Sequence, residues 1–265
     1  MLSPVCILAG GLGTRLGEKA RTKPKALIPV AGKPFIFHQL ELLARHGADR
    51  VVLCVGYRGE QIAEAVGDGS DLGLRIRCVH DGPGLAGTAG AARGALPHLG
   101  ERFLVLYGDT YLRIDYADVD RALETSGLPA LMTVLRNRGR WDRSNARFED
   151  GRVVAYDKAN PGPDMEWIDY GLGAFCARAF EIADAGTVDL GDVYAQLSRQ
   201  GLLAGYPATE RFYEIGTPEA LRETDAFLRR ASPETRRLKD SVPGGTPNPS
   251  ARPPFSPPGG RGRKR

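Results

Sequence analysis

Cations and glycines crowd residues 8–30, LAGGLGTRLGEKARTKPKALIPV, directly behind a short apolar run. Glycines carry no Cβ, so their backbone N–H groups can approach an anion closely. Arg15 offers a planar guanidinium fork that suits a pyrophosphate, and Lys25 offers a mobile point charge. These residue types at this spacing indicate a site for a polyphosphate.

Two glycine motifs that bind phosphates elsewhere fit this segment poorly. The dinucleotide fingerprint finds Gly11 and Gly13 in place, but Leu16 stands where a last small residue is needed. No acidic residue follows about twenty positions later, as ribose binding would require. The Walker pattern G-x-x-x-x-G-K-[ST] fits in no register. An NAD-linked oxidoreductase and a P-loop NTPase are therefore disfavoured.

An acidic residue follows another apolar run, in FLVLYGDT, residues 103–110. An Asp at the carboxyl end of a buried parallel strand lies in the crevice where such sheets bind ligands. Asp109 is therefore predicted to face the same crevice as the glycine turn.

Short apolar runs that alternate with helical segments must position these residues. Strand-like runs at 5–8, 51–55, 74–80 and 103–109 are separated by helical patterns, which favours a mostly parallel sheet with helices on both faces. After Asp115 the strand-like segments are closely spaced and predict antiparallel additions. The predicted fold class is a Rossmann-like three-layer α/β/α architecture. Helix starts are predicted at Thr217-Pro218 and at Asp189.

Composition divides the chain into a single domain, residues 1–231, and a Pro/Gly/Arg-rich tail, residues 232–265, which is predicted to be disordered. The formal charge of +4 comes from residues 240–265 of this tail. Five cations and Asp240 lie in residues 240–265, a sum of +4, so residues 1–239 are neutral. A nucleic-acid partner is therefore not expected.

The sequence also indicates where the protein resides. No apolar run is long enough for a membrane span, and the N-terminus lacks the basic region of a signal peptide. The four cysteines form no C-x-x-C pair, which favours a reducing cytoplasm. The four histidines do not cluster at metal-ligand spacing, so we assign them no catalytic role.

The opening loop, with Arg15, Lys25 and the frame TKPKALIPVAGKPFIFHQLELL, resembles the signature of the sugar-1-phosphate nucleotidyltransferases, or NDP-sugar pyrophosphorylases. The resemblance continues through GLAGTAGAARGAL (84–96), FLVLYGDTYL (103–112), VVAYDK (153–158) and FYEIGTPEALRETD (212–225). Within that family the chain looks most like the mannose- and heptose-1-phosphate guanylyltransferases. The resemblance implies the nucleotide-diphospho-sugar transferase fold.

The resemblance also implies roles for particular residues. Arg15, Lys25 and Asp109 would be catalytic, and Asp109 and Glu214 would hold Mg²⁺. The nucleotide would be bound by Leu8, Ala9, Gly10, Gly11, Gly13, Gly87 and Thr88. The sugar phosphate would be bound by Gly108, Asp157, Lys158, Asp169 and Gly171.

Two of these positions depart from the family pattern. Glu214 stands where the family usually has an Asp, and its extra methylene requires an adjusted metal geometry. Asp169 stands in the place of an Asn in an Asn-x-Gly-like sugar contact, where it could tune the choice of sugar.

The expected reaction transfers a nucleoside monophosphate from an NTP to a sugar 1-phosphate, of the EC 2.7.7 type. GTP with a mannose- or heptose-type sugar phosphate is expected, and UTP, CTP or dTTP with another sugar phosphate is an alternative. A regulatory subunit that binds nucleotide sugars with weak turnover is another. The sequence leaves the oligomeric state open and allows a homo-oligomer.

Overall fold

Strands and helices alternate along the first half of the chain, as its periodicity predicts. The computed structural model describes residues 1–17, 19–81 and 86–231. The strands are β1 (Val5–Leu8), β2 (Pro29–Val30), β3 (Lys33–Pro34), β4 (Arg50–Val55), β5 (Arg75–His80), β6 (Arg102–Tyr107), β7 (Thr110–Tyr111), β8 (Ala130–Arg136), β9 (Ala146–Glu149), β10 (Arg152–Tyr156), β11 (Trp167–Cys176), β12 (Leu203–Ala208) and β13 (Tyr213–Glu214). The α-helices are α1 (Lys19–Thr22), α2 (Phe35–Arg45), α3 (Gly59–Val66), α4 (Gly87–Leu99), α5 (Tyr116–Ser126), α6 (Ala179–Ile182), α7 (Leu190–Arg199) and α8 (Pro218–Ala231).

A nine-stranded sheet with the order β5-β4-β1-β6-β11-β8-β12-β10-β9 forms the centre of the molecule. The first four strands pair in parallel, with Val5 of β1 opposite Val51 of β4 and Leu104 of β6. β11 then runs antiparallel to both β6 and β8, whereas β12 is parallel to β8. The predicted parallel strands of the first half and the predicted antiparallel additions are both present, and in the described residues neighbouring strands of this order make four parallel and four antiparallel pairings.

Each face of the sheet is covered by helices over its own hydrophobic core. In β1, Val5 and Ile7 point into the core that Leu40 of α2 shares, whereas Cys6 points into the core that Ala92 of α4 shares. Successive strand residues face opposite sides of a sheet, so a strand buried on both faces is apolar throughout. The three-layer α/β/α prediction is confirmed.

Local signals fix several element boundaries in the second half. The carboxylate of Asp189 accepts the backbone N–H of Gly191 at the start of α7, and the hydroxyl of Thr217 accepts that of Ala220 at the start of α8. These are the N-caps that the sequence predicts. A hairpin around Gly151 joins β9 to β10.

A separate two-stranded antiparallel sheet pairs β13 with β7, the short strand that follows β6. Glu214 of β13 pairs with Thr110 of β7, and the N–H of Ile215 donates to the carbonyl of Asp109 at 3.0 Å. The hydroxyl of Thr224, a fully buried residue of α8, donates to the carbonyl of Glu214 at 2.6 Å. Two acidic residues that lie far apart in sequence are thereby brought side by side.

Residues 1–228 form one compact unit, and residues 229–265 form a second, of which the structure describes 229–231. The predicted disordered tail, 232–265, lies outside the described residues, and the predicted domain boundary stays a prediction. Among the helices of the described ranges, none has both the length and the apolar character that a membrane crossing needs.

Candidate active site

A cavity of about 340 Å³ opens at the carboxyl ends of β1 and β6. This is the edge of a parallel sheet at which ligands bind. The predicted residues that line the cavity are Leu8, Ala9, Gly10, Gly11, Gly13, Arg15, Lys25, Gly87, Thr88, Gly108 and Asp109. The structure thus brings the opening loop, the start of α4 and the end of β6 to one place.

The glycine turn has room for a ligand because side chains are excluded from it. A Cβ on Gly10 would lie 3.0 Å from the Asp81 carboxylate and 3.2 Å from the backbone nitrogen of Gly56. Gly13 has a φ of 65°, the left-handed region that favours glycine. A Cβ on Gly11 would meet nothing within 4 Å, so this part of the turn borders open space. An anion can therefore approach the backbone at Gly11.

Lys25 and Asp109 form an ion pair at the cavity wall. The Lys25 Nζ lies 2.5 Å from Asp109 Oδ2, and the two side chains are 13% and 27% exposed. The hydroxyl of Thr110 donates to Asp109 Oδ1 at 3.0 Å. Burial raises the pKa of the Asp109 carboxyl, but the charge and hydrogen bonds of Lys25 and Thr110 outweigh it, and the pKa lies below its ordinary value. Asp109 is thus held as a carboxylate.

Glu214 and Arg15 converge beside Gly216. A Cβ on Gly216 would lie 3.1 Å from Glu214 Oε2 and 3.3 Å from a terminal nitrogen of Arg15. Burial raises the pKa of the Glu214 carboxyl, the charge of Asp109 raises it further, and the charges of Lys25 and Arg15 oppose this. Two carboxylates and two cations therefore share one electrostatic environment at the cavity.

This donor set fits a magnesium ion. Magnesium takes one or two protein carboxylates and completes its shell with water and substrate phosphate oxygens. Asp109 and Glu214 supply two carboxylates whose negative charges repel each other. A divalent cation would offset that repulsion. In the described ranges, no group of three His, Cys, Asp or Glu side chains could hold a metal by itself. The site thus fits an ion that arrives with a phosphate ligand.

The start of α4 forms the opposite wall. Gly87 has a φ of 69°, and a Cβ there would lie 2.3 Å from the carbonyl of Val188, so only glycine fits. The hydroxyl of Thr88 accepts the N–H of Leu190 at 2.7 Å and is thereby engaged in holding α7. The positive end of the α4 dipole favours an anion or a polar base edge here, although the N–H of Ala89 is already donated to the carbonyl of Val188 at 2.9 Å.

Most of the residues predicted to bind the sugar phosphate do not line this cavity. Asp157, Lys158, Asp169 and Gly171 are not among its lining residues. The Asp157 carboxylate accepts the N–H groups of Ala159 and Asn160 and closes a turn. Asp157 therefore has one oxygen committed to the backbone.

Asp169 is connected to the cavity through Tyr107. The carboxylate accepts the N–H of Gly171 at 2.9 Å, and the Tyr107 hydroxyl, on a lining residue, lies 3.4 Å away. Burial raises the pKa of Asp169 to about 6, although the Gly171 N–H, the charge of Lys158 and the Tyr107 hydroxyl act in the opposite direction. Lys158 and Asp169 thus influence each other electrostatically.

Sequence reasoning missed several lining residues. These are Thr14, Ala26, Asp81, Ala91, Tyr107 and Gly216. Asp81 directly follows β5, so the signal that located Asp109, an acid at the end of a parallel strand, was available for it as well. Burial raises the pKa of the Asp81 carboxyl, against a hydrogen bond from the backbone of Ala86 and the charge of His80.

Known proteins are similar to this chain in sequence and in architecture. The MobA-like NTP transferase domain matches residues 5–218. The N-acetylmuramate alpha-1-phosphate uridylyltransferase of Neisseria meningitidis serogroup B is 33% identical over 229 residues, 83% of this chain and 96% of that protein. The mannose-1-phosphate guanylyltransferase of Mycobacterium tuberculosis is 28% identical over 236 residues, 84% of this chain and 64% of that protein. The chain thus spans nearly all of the first relative and under two thirds of the second.

Solved structures include proteins with a similar fold. HddC from Yersinia pseudotuberculosis, solved in complex with GMP-PN, has a TM-score of 0.70 and 24% sequence identity, and the match covers 86% of this chain and all of HddC. This likeness confirms the predicted nucleotide-diphospho-sugar transferase fold. The chain therefore belongs to the MobA-like NTP transferase family, and the predicted resemblance to the sugar-1-phosphate nucleotidyltransferases is confirmed.

Proposed function

We propose that the protein transfers a nucleoside monophosphate from an NTP to a sugar 1-phosphate, with Mg²⁺ as cofactor, to give an NDP-sugar and pyrophosphate. One observation carries the proposal: Arg15, Lys25, Asp109 and Glu214 converge at the glycine turn. A polyphosphate needs cations at its charged oxygens and carboxylates for its metal, and these side chains supply both.

The proposed reaction is an in-line displacement. A phosphate oxygen of the sugar 1-phosphate forms a bond to the α-phosphorus, while the bond from that phosphorus to the oxygen of the leaving pyrophosphate breaks. The electron pair leaves with pyrophosphate, and the anionic nucleophile needs no base to activate it. Lys25 would stabilise charge at the α-phosphate, Arg15 would hold pyrophosphate, and Lys158 would hold the acceptor phosphate.

Asp109 and Glu214 are the residues that would hold the ion. When bound, Mg²⁺ supplies charge neutralisation between phosphate oxygens. The Glu214 side chain reaches the same environment as Asp109 despite its extra methylene, because β13 is fixed to β7 by backbone pairing.

For the substrates we propose GTP with a mannose- or heptose-type sugar 1-phosphate. The mycobacterial relative named a mannose-1-phosphate guanylyltransferase supports this pair. The neisserial relative, named an N-acetylmuramate alpha-1-phosphate uridylyltransferase, favours UTP as the alternative. The negative charge of Asp169 beside Tyr107 supports a neutral sugar, since an acceptor with a further carboxylate would be repelled.

A grid of nucleotides against acceptors tests the proposal. ATP, GTP, UTP, CTP and dTTP would each be mixed with Mg²⁺ and with mannose, heptose, glucose or N-acetylmuramate 1-phosphate, and pyrophosphate release would be measured. We expect the highest kcat/KM with GTP and a neutral sugar phosphate. A maximum with UTP and N-acetylmuramate 1-phosphate would replace the substrate assignment, and release with no pair would favour a regulatory nucleotide-sugar-binding subunit.

A further inference from the structure

A buried amide lies under the turn that carries Asp109. Gln39 of α2 is 1% exposed and lies on the helix face whose fully buried neighbours include Ile36, Leu40 and Leu43. Its Oε1 has no hydrogen-bond partner among the described residues. An unsatisfied buried acceptor is destabilising, and an apolar side chain would avoid it. Packing alone therefore does not account for glutamine at this position.

The amide nitrogen of Gln39 donates two hydrogen bonds. Gln39 Nε2 donates to the carbonyl of Tyr107 at 2.9 Å and to the carbonyl of Thr110 at 2.8 Å. These two carbonyls bracket Gly108 and Asp109, at the junction of β6 and β7. Because Oε1 cannot accept from a carbonyl oxygen, the amide has one orientation that satisfies both bonds.

The opposite side of the same turn is held by β1. The N–H of Gly108 donates to the carbonyl of Leu8 at 3.0 Å, and a Cβ on Gly108 would lie 2.6 Å from that carbonyl oxygen. Hydrogen bonds therefore hold this turn on two sides, from β1 on one side and from the Gln39 amide of α2 on the other. Both contacts therefore hold the backbone on either side of Asp109.

We propose that Gln39 is a positioning residue for nucleotidyl transfer, whose amide fixes the Gly108–Asp109 turn and so directs the Asp109 carboxylate at the metal–nucleotide complex. The inference rests on the proposed function. Gln39 contacts no reacting atom in this arrangement. It acts through the two backbone carbonyls on either side of Asp109.

Substitution by methionine removes the donors and preserves the length of the side chain. Gln39→Met frees both carbonyls, so the turn loses its constraint on the α2 side. A residue that orients a metal ligand contributes roughly 10- to 100-fold to metal affinity or activity. We expect Gln39→Met to lower kcat and to weaken metal binding within that range, and to leave the KM of the sugar phosphate nearly unchanged.

A graded series of variants separates positioning from stability. In Gln39→His the imidazole Nε2 can replace one of the two donated bonds, so this variant should fall between wild type and Gln39→Met. Leu40→Ala is the matched control, because it truncates the adjacent fully buried side chain of the same helix. It should lower the melting temperature and leave kcat unchanged at a temperature where the protein is folded.

Metal binding gives a readout that does not depend on turnover. The affinity for Mn²⁺ would be measured by electron paramagnetic resonance with a non-hydrolysable GTP analogue present. We expect the dissociation constant to rise in the order wild type, Gln39→His, Gln39→Met, with Leu40→Ala at the wild-type value. Wild-type Mn²⁺ affinity and kcat in Gln39→Met would overturn the inference, as would equal losses in Gln39→Met and Leu40→Ala.

If Gln39→Met does not fold, the Gln39→His variant decides, since wild-type values for it in both measurements would also overturn the inference. A wild-type protein that binds Mn²⁺ and releases no pyrophosphate would refute the proposed function instead. The ordered change in Mn²⁺ affinity would still support Gln39 as the residue that orients Asp109.

Discussion

Replacing Asp169 by asparagine should stabilise the protein at neutral pH. The carboxylate accepts one good hydrogen bond, from the N–H of Gly171, and a long contact from the Tyr107 hydroxyl. Asparagine can keep the first bond through its oxygen and donate to the tyrosine through its nitrogen. The substitution is isosteric and removes the charge whose burial is unfavourable.

The size and the sign of the effect follow from the pKa. The pKa of Asp169 is raised to about 6 from an ordinary 3.8. A raised carboxyl pKa means that the folded state binds protons more tightly than the unfolded state. The contribution of the Asp169 carboxyl to the free energy of unfolding is therefore fully present below about pH 4 and is lost as pH rises through about 6. At 1.36 kcal/mol per unit the upper limit is about 3 kcal/mol, and partial solvent screening reduces this to about 1–3 kcal/mol.

Urea denaturation at a series of pH values measures the prediction. The difference in unfolding free energy between Asp169→Asn and wild type should be small near pH 4, should grow through about pH 6 and should level off above pH 7. A difference that does not change with pH would refute the reasoning, and so would an asparagine variant that is less stable than wild type at pH 8.

Asp120→Asn is the matched control. Asp120 is 5% exposed, and its carboxylate accepts the N–H and the hydroxyl of Ser3 and forms an ion pair with Arg102 at 3.0 Å. The same neutralisation removes a satisfied charge here, so it should destabilise the protein at neutral pH. Opposite signs at the two positions would show that the environment, and not the substitution itself, sets the effect.

Three further predictions concern the cavity. Lys25→Ala should lower turnover by about 10²-fold in a pyrophosphate-release assay, because it removes a charge stabiliser, and near-normal turnover would exclude that role. Glu214→Gln should raise the Mg²⁺ concentration needed for half-maximal rate, and an unchanged Mg²⁺ dependence would remove Glu214 from the metal site. Gly108→Ala should lower the unfolding free energy by about 1–3 kcal/mol, because its Cβ would lie 2.6 Å from the Leu8 carbonyl oxygen. Gly11→Ala, which meets nothing within 4 Å, should unfold like the wild type in the same denaturation experiment.

The lining of the cavity at the glycine turn could be predicted because its signals are local. The glycine turn, Arg15 and Lys25 lie within one short segment, and Asp109 follows a strand that its apolar run identifies. In a parallel sheet, strand ends meet at one edge, so the alternation of strands and helices was enough to bring these segments together.

The contacts that support the cavity from behind its lining residues could not be predicted in the same way. In the sequence, nothing distinguishes Gln39 from other residues of a helix. Its hydrogen bonds to two carbonyls depend on how α2 packs on the sheet. The strand order around β11, which places Asp169 beside Tyr107, depends on long-range pairing. The periodicity of apolar residues indicates whether a segment is a helix or a strand. It does not indicate which other segment that element packs against or pairs with.

The pairing of β7 with β13 has a consequence for synthesis of the protein. A ribosome delivers the glycine loop, Lys25 and Asp109 long before Glu214 exists. Domains acquire long-range contacts late, since the intervening chain must first be ordered. A nascent or truncated polypeptide that ends before β13 would carry the glycine turn, Lys25 and Asp109 and would lack Glu214. Under the proposed function, competence for catalysis should therefore arise only when β13 and α8 have docked.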